Sequence, residues 1–239
     1  MATFLELECK GVEHEKFNLG FLLKVSKFSK KITFIAGHSH IEVIREQIPN
    51  DLIKKINFIS INIPEKHYKI NSILKYYKIF QSLKHKIDFN ENVFMLSFFS
   101  WDLLAIKFFL ASERIKVKSL FFVCHGALEN LIILKSISGI KRYLKPKNLH
   151  VFFLSMVIKN FNSKRFTYLF LSKHIENNFN KSKRLINTIP HKTIDLPYYF
   201  DLIKSKSPSK DFCYGTIGKG DLGMTKSLLE KRKNLKFKI

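Results

Sequence analysis

Apolar and polar residues follow one another along the chain in a pattern that predicts strands separated by amphipathic helices. Short apolar runs are typical of strands, whereas apolar positions that recur every three or four residues are typical of helices. The strands predicted in this way lie at 4–8, 31–37, 56–64, 93–98, 118–126, 166–172 and 188–197. The predicted helices lie at 16–28, 41–47, 71–86, 101–112 and 175–179, with a long and mostly helical stretch at 127–161.

The alternation of strands and helices predicts an α/β fold. Its expected core is a Rossmann-like, doubly wound parallel sheet, because βαβ units join parallel strands through right-handed helical crossovers. A polar, Ser/Lys-rich segment with a proline at 203–211 is typical of a linker. We therefore expect an N-terminal domain at 1–202, a linker at 203–211 and the start of a second domain at 212–239.

That second domain is expected to be truncated. Residues 212–239 are predicted to form a strand, a loop, a helix and one further strand, which together make the first βα(β) unit of a second Rossmann-like domain. One such unit is too small to bury a hydrophobic core of its own.

The composition adds a strong positive charge to this picture. The formal net charge is +23, which favours an anionic partner such as a polyanion or an acidic membrane. Lysine outnumbers arginine by 36 to 6, however, and arginine is the residue that reads nucleic-acid grooves and grips phosphates through its planar fork. We therefore expect no nucleic-acid partner, and loose attraction to an anionic membrane surface is favoured instead.

The N-terminus and the cysteines predict a cytoplasmic protein. No basic segment followed by an apolar run opens the chain, so no signal peptide is expected. Cys9, Cys124 and Cys213 are odd in number and form no CxxC pair, so neither a disulfide framework nor a zinc site is indicated. His38 and His40 follow a predicted strand without a carboxylate or third histidine at useful spacing, so no metal site is expected.

The best single clue to chemistry is the strand at 118–126. It is apolar enough to be buried on both faces, and it ends in His125 and Gly126. Ligands of open α/β sheets gather at the carboxyl ends of the strands, where these two residues are expected. His125 is either a catalytic or ligand-contacting group or a polar cap on the sheet edge that bonds to the backbone.

Several short patterns resemble the two-domain GT-B glycosyltransferases, and in particular the large bacterial group that builds surface polysaccharides. Gly11-Val12-Glu13 before an amphipathic helix resembles the Gly-Gly-x-Glu opening of that group, and 122–126 is similar to its apolar strand ending in His-Gly. The segments 169–174 and 189–195 resemble its late strand ending in Ser and its Ile-Pro-Asn-Gly-Val-Asp crossing segment, with His191 and Lys192 in place of the Asn and Gly.

The second domain continues the resemblance. Residues 215–219 resemble the Gly-x-x-Gly-Arg that opens the donor domain, with Lys219 in place of the arginine. The lysine of the following Lys-Gly pair is replaced by Leu222, so that donor-phosphate lysine is absent or displaced to Lys226. The resemblance covers nearly the whole chain, but only about the first two-thirds of such an enzyme.

The resemblance implies a glycosyltransferase that uses no cofactor. It would move a sugar from a nucleotide-diphosphate sugar to a growing surface-polysaccharide or lipid-linked glycan, with weak or no activity as a truncated chain. The alternative is a non-enzymatic membrane- or partner-binding remnant that needs a second polypeptide.

The resemblance also assigns residues to that reaction, each beside a plainer interpretation. His125 would be catalytic, and Gly126 would join Gly11 and Glu13 in binding the acceptor or a phosphate. Gly11 is otherwise a simple tight turn, and Glu13 a charge at a helix N-terminus. Gly218 and Lys219 would bind the donor, although Lys219 is equally a solvated loop lysine.

The basic segment at 66–86 leaves two interpretations open. It is either an ordinary amphipathic helix that packs through Tyr76 and Phe80, or a membrane-surface contact that brings the enzyme to its acceptor. The second interpretation would place the protein peripherally on the inner face of the cell membrane.

Overall fold

The fold is that of a computed structural model, which describes residues 1–11, 13–64, 71–98, 100–125, 163–181 and 190–194. The strands are β1 (Ala2–Leu5), β2 (Ile32–Gly37), β3 (Ile56–Ile61), β4 (Asn92–Met95), β5 (Ser119–Cys124), β6 (Phe166–Phe170) and β7 (His191–Thr193). The helices are α1 (Glu15–Ser26), α2 (His38–Gln47), α3 (Asn50–Ile53), α4 (Ser72–Leu83), α5 (Ser100–Ser112) and α6 (Lys173–Lys181). These residues belong to one unit, Met1–Tyr199.

Within the described residues, seven strands form one parallel sheet in the order β3-β2-β1-β4-β5-β6-β7. The chain builds outward from β1 to β3 and then returns to place β4 on the other side of β1. Strand order therefore reverses between β1 and β4, and such a switch point opens a crevice at the carboxyl ends of the strands. The predicted α/β fold with a doubly wound parallel sheet is confirmed.

The helices cover both faces of this sheet. On one face, the β1 residue Phe4 packs with Phe17 of α1 and Ile44 of α2 in one buried cluster. On the other face, Leu5 packs in a second cluster with Tyr76 of α4 and Phe109 of α5. Two-sided coverage explains why a strand in the middle of the sheet is apolar on both faces.

Three local predictions need correction. The first strand was expected to run alternately through Phe4–Glu8, but β1 starts at Ala2, ends at Leu5 and is buried at all four positions. It is a central strand, so its alternation does not mark a solvent face. Helix α2 starts at His38, three residues before the predicted start, because the chain turns directly from β2 into the helix at Gly37. The short α3 was missed.

Other predictions lie outside the described residues. They are the helical stretch at 127–161, the linker at 203–211 and the second domain at 212–239. The domain boundaries therefore stay predictions.

A row of phenylalanines crosses the sheet on one face. Strand register aligns Phe58, Phe34, Phe4, Phe94 and Phe121 on five adjacent strands. The ring centroids of Phe4 and Phe94 lie 5.0 Å apart, those of Phe94 and Phe121 lie 4.7 Å apart, and both pairs are stacked. Aromatic pairs on neighbouring strands stabilise a sheet beyond the area that they bury, so this row locks the register of the strands.

Replacing the central ring tests that role. We expect Phe4→Ala to lower the free energy of unfolding by about 3–5 kcal/mol, because the side chain is fully buried and neighbouring rings cannot fill the cavity. Urea denaturation followed by circular dichroism measures the change. Phe108→Ala is the matched control, since Phe108 is 53% exposed and its loss should cost under about 1 kcal/mol. Equal losses in the two variants would contradict the proposed role of the row.

Candidate functional site

The candidate site lies at the carboxyl edge of the sheet, beside the switch point between β1 and β4. Residues 6–14 connect β1 to α1, His38 and His40 open α2 after β2, and Leu96 and Ser97 follow β4. His125 follows β5 directly. Parallel strands end at the same edge, so residues from four distant parts of the chain meet there.

A buried carboxylate organises this edge. Glu6 is fully buried, and its Oε1 accepts hydrogen bonds from the Ser97 hydroxyl and from the backbone N–H groups of Glu8 (3.1 Å) and Cys9 (3.2 Å). Desolvation raises the pKa of Glu6, but the hydrogen bonds from Ser97, Asn18 and the Glu8 backbone outweigh that effect and hold the pKa below its ordinary value. Glu6 is therefore ionised at neutral pH, and each of these partners donates to it.

Hydrogen bonds through Asn18 and His40 extend this network to the β1–α1 loop. The Asn18 amide nitrogen donates to Glu6 Oε2 at 3.0 Å and lies 2.9 Å from His40 Nε2. His40 Nδ1 lies 2.5 Å from the Gly11 carbonyl oxygen, which can only accept. His40 must therefore carry its proton on Nδ1 and accept from Asn18 at Nε2. The conformation of the loop at Gly11 is thereby tied to α1, α2 and Glu6.

Glu8, a second buried acidic residue near Glu6, has its pKa shifted in the opposite direction. Burial, followed by the negative charges of Asp102 and Glu6, raises the pKa of Glu8 well above its ordinary value. Glu8 therefore holds a proton more tightly than Glu6 does. The two acids two residues apart have pKa values pushed in opposite directions, because only Glu6 receives several hydrogen-bond donors.

His125 is anchored beside this loop. Its Nε2 lies 2.8 Å from the Leu96 carbonyl oxygen, so that nitrogen carries the proton and Nδ1 keeps the lone pair. Its ring stacks on His14 with centroids 4.5 Å apart, and it meets the edge of Phe17 at the same distance. Although the residue as a whole is exposed, desolvation of the ring, followed by the effect of His14, lowers the pKa of His125 to about 4. The imidazole is neutral at physiological pH.

The backbone at the start of α1 has an unusual conformation at its capping residue, His14. His14 caps the helix in the left-handed region (φ 58°), which is strained for a residue with a side chain. The exposed Glu13 carboxylate accepts a hydrogen bond from the Lys10 N–H at 3.3 Å, so it closes the loop. A Cβ added at Gly11 would meet no atom within 4 Å, so open space lies above that residue.

Glu6, Cys9 and His14 form the one group in the described residues whose ligand atoms could surround a metal ion. These atoms all lie within 4.8 Å of one another. Desolvation, then the Glu6 carboxylate, raises the pKa of the Cys9 thiol well above its ordinary value, and a metal ligand would have to lose that proton. The Glu6 oxygens already accept four hydrogen bonds, so the arrangement is better explained as a structural network.

The structure brings together some of the residues predicted from the sequence. His125 lies against His14, in the loop that also carries Gly11 and Glu13. Gly126, Gly218 and Lys219 lie outside the described residues, and their roles stay predictions. Sequence reasoning missed Glu6, Asn18 and Ser97. One signal pointed to Glu6, since a carboxylate that directly follows a strand apolar on both faces is costly unless it has partners.

Comparisons with known proteins support the fold. No known protein family matches the sequence, and no curated protein matches it. Among solved structures, the chain is similar to UGT73P12 of Glycyrrhiza uralensis, a plant GT-B UDP-glycosyltransferase solved in complex with glycyrrhetinic acid 3-O-monoglucuronide. The TM-score is 0.51 at 12% sequence identity, over 82% of this chain and 48% of the plant protein.

This likeness shows a glycosyltransferase-like fold. The chain spans about half the length of the plant enzyme, and an identity of 12% carries the fold alone. The part of the chain that the structure describes contains no helix with both the length and the apolar character needed to cross a bilayer.

The Glu6 network yields a first prediction about the site. We expect Glu6→Gln to lower the free energy of unfolding by about 2–4 kcal/mol, because an amide nitrogen would face donors where an oxygen now accepts. Since the folded state lowers the pKa of Glu6, its contribution is present above about pH 4.5 and is lost as the pH falls below that value. Urea denaturation at several pH values measures both effects, and the variant should lose that part of the acid dependence.

Glu42→Gln is the matched control for this substitution. Glu42 is an exposed partner of Arg45 at 3.5 Å, and its loss should change the free energy of unfolding by less than about 1 kcal/mol. A Glu6→Gln variant as stable as the control at neutral pH would show that the network does not hold the loop.

Two glycines at the same edge give a second prediction. We expect Gly11→Ala to change the free energy of unfolding by less than about 1 kcal/mol, because its Cβ would enter open space. Gly37→Ala should cost about 1–3 kcal/mol, since its Cβ would lie 3.0 Å from Ile63 Cδ1 and 3.3 Å from the Cys9 carbonyl oxygen. Thermal and urea unfolding of the two variants distinguish them, and the reverse order of stabilities would refute this account of the loop.

Proposed function

We propose that this chain carries the acceptor-side domain of a glycosyltransferase. The reaction is transfer of a sugar from a nucleotide-diphosphate sugar to a growing glycan, either a surface polysaccharide or a lipid-linked oligosaccharide. The observation that carries the proposal is the position of His125 against the β1–α1 loop, at the switch point of a sheet with a GT-B-like fold. The sequence motifs at 11–13 and 122–126, which resemble those of the bacterial polysaccharide-building group, support a glycan of that kind as the acceptor.

In this proposal His125 contacts a hydroxyl of the acceptor or of the transferred sugar. Its Nε2–H is engaged by the Leu96 carbonyl, so the nitrogen left for a ligand is Nδ1, which accepts a hydrogen bond. With a pKa of about 4 in the free protein, the imidazole is a weak base at neutral pH. Its proposed role is therefore to orient a hydroxyl through Nδ1.

The β1–α1 loop supplies the second part of the proposed acceptor site. Gly11 leaves open space beside the start of α1, where backbone N–H groups and the helix dipole favour a phosphate or a polarised oxygen. The Glu6 network ties this loop to α1 and α2 through hydrogen bonds, which lowers the entropy lost when a ligand binds. Glu13 and Gly126 are proposed to line the same site, while Gly218 and Lys219 would contact the donor.

The transfer reaction can be tested directly. Purified chain is incubated with a panel of UDP-, GDP- and ADP-sugars and short glycan acceptors, and release of the nucleoside diphosphate is measured. We expect slow but acceptor-dependent release, and at least about a tenfold loss in His125→Ala, because positioned hydrogen-bonding groups typically contribute that much to rate. His85→Ala is the control, since His85 is an exposed histidine in the turn after α4.

A binding measurement makes the result decisive when turnover is low. Isothermal titration calorimetry with the same sugars should show saturable binding of an acceptor that is weakened in His125→Ala and in Gly11→Ala but unchanged in His85→Ala. The absence of both turnover and saturable sugar binding would reject the proposed function and favour a non-enzymatic binding module.

A further inference from the structure

A large basic cleft lies at the opposite edge of the sheet from His125. It has a volume of about 1110 Å³ and is lined by the first residues of β2, by the edge strand β3 and by the turn after α4. Parallel strands all begin at this edge, so the cleft and the candidate site occupy opposite ends of β2. We call this region the amino-edge cleft.

The charges in the amino-edge cleft are almost all of one sign. Its lining includes His85 and a set of exposed lysines, namely Lys30, Lys31, Lys54, Lys55 and Lys86. Among the described residues, no carboxylate forms an ion pair with any of these five lysines. Clustered like charges destabilise the surface that carries them, and an anionic partner would relieve the repulsion.

Exposed apolar side chains border the same lysines. Phe28, two residues before Lys30, is 89% exposed, and Met1 in the cleft lining is 41% exposed. Phe28 is not part of a frayed end, because its N–H and that of Ser29 both donate to the Val25 carbonyl at 2.9 Å. The turn that ends α1 therefore presents a large aromatic ring to solvent beside a basic surface.

This combination distinguishes between anionic partners. A soluble polyanion would neutralise the lysines but would leave Phe28 in water. The interface of an anionic bilayer accommodates both, since lysines meet the headgroups and an aromatic ring enters the boundary with the acyl chains. Among the described residues that line the cleft there is also no arginine, the residue best suited to nucleic-acid phosphates and base edges.

We propose that the amino-edge cleft and Phe28 form a docking surface for an anionic lipid bilayer. The surface differs from the basic helix singled out in the sequence, because only His85 and Lys86, which follow α4, line the cleft. β2 has six residues, so the carboxyl edge lies about 20 Å from this surface. One consequence follows for the proposed transferase function, on which it rests: sugar transfer would take place away from the headgroups.

Vesicle binding tests the docking surface. The full chain is sedimented with phosphatidylcholine vesicles that contain or lack phosphatidylglycerol, at increasing salt. We expect salt-sensitive binding to the anionic vesicles alone. The double variant Lys30→Gln/Lys31→Gln should weaken that binding by at least about tenfold, because each lysine near an anionic surface contributes about a fivefold factor.

Matched variants separate this surface from general charge attraction. Lys75→Gln/Lys78→Gln removes the same charge from exposed positions on α4 and should leave binding within about twofold of the wild type. The fluorescence of the tryptophan introduced by Phe28→Trp should be quenched by lipids brominated on their acyl chains. The fluorescence of the tryptophan introduced on α5 by Phe108→Trp should not be quenched. All these side chains are exposed, so circular dichroism should confirm unchanged folding.

Three results would overturn the proposal. Equal weakening by the two lysine pairs would indicate attraction to net charge without a defined surface. Quenching at position 108 but not at 28 would place the membrane contact on another face. Salt-dependent binding to duplex DNA without binding to anionic vesicles would assign the amino-edge cleft to nucleic acid.

Discussion

The structure of the candidate site depends on one buried negative charge. A carboxylate taken out of water costs several kcal/mol unless donors surround it, and Glu6 receives hydrogen bonds from Ser97, from Asn18 and from two backbone N–H groups. These donors belong to the segment after β4, to α1 and to the loop after β1, and Asn18 extends the network to His40 in α2. Satisfying Glu6 therefore requires the elements around the switch point to assemble together.

This constraint also explains why the edge is suited to binding. The network holds the Gly11 carbonyl through His40, while the Leu96 carbonyl holds His125 against His14. A ligand would thus meet a loop and an imidazole whose positions are already determined, at the edge where doubly wound sheets bind their ligands. The amino-edge cleft has the opposite character, because its five lysines form no ion pair with a carboxylate among the described residues and its chemistry is that of net charge.

The order of strands and helices could be predicted because it depends on local periodicity. Helix α1 at Glu15–Ser26 and strand β5 at Ser119–Cys124 lie close to their predicted positions, since an amphipathic helix and a strand buried on both faces have different patterns within a few residues. The placement of His125 at a strand end followed from the same reasoning. The end of β1 was predicted wrongly because Glu6 and Glu8 alternate with apolar residues, as on a strand with one polar face. Both residues lie beyond the strand, and their pKa values are shifted in opposite directions.

The sequence by itself determined the α/β class, the parallel sheet and the position of the candidate histidine at a strand end. It could not reveal which polar residues meet, because their partners lie far apart in the chain: Glu6 and Ser97 are separated by 91 positions, and Asn18 and His40 by 22. Hydrogen-bond partners at such separations are decided by strand order and by the crossing of helices over the sheet. Tertiary structure alone therefore lowers the pKa of Glu6, through the hydrogen-bond donors around it, and the pKa of His125, through desolvation of its ring and the neighbouring His14.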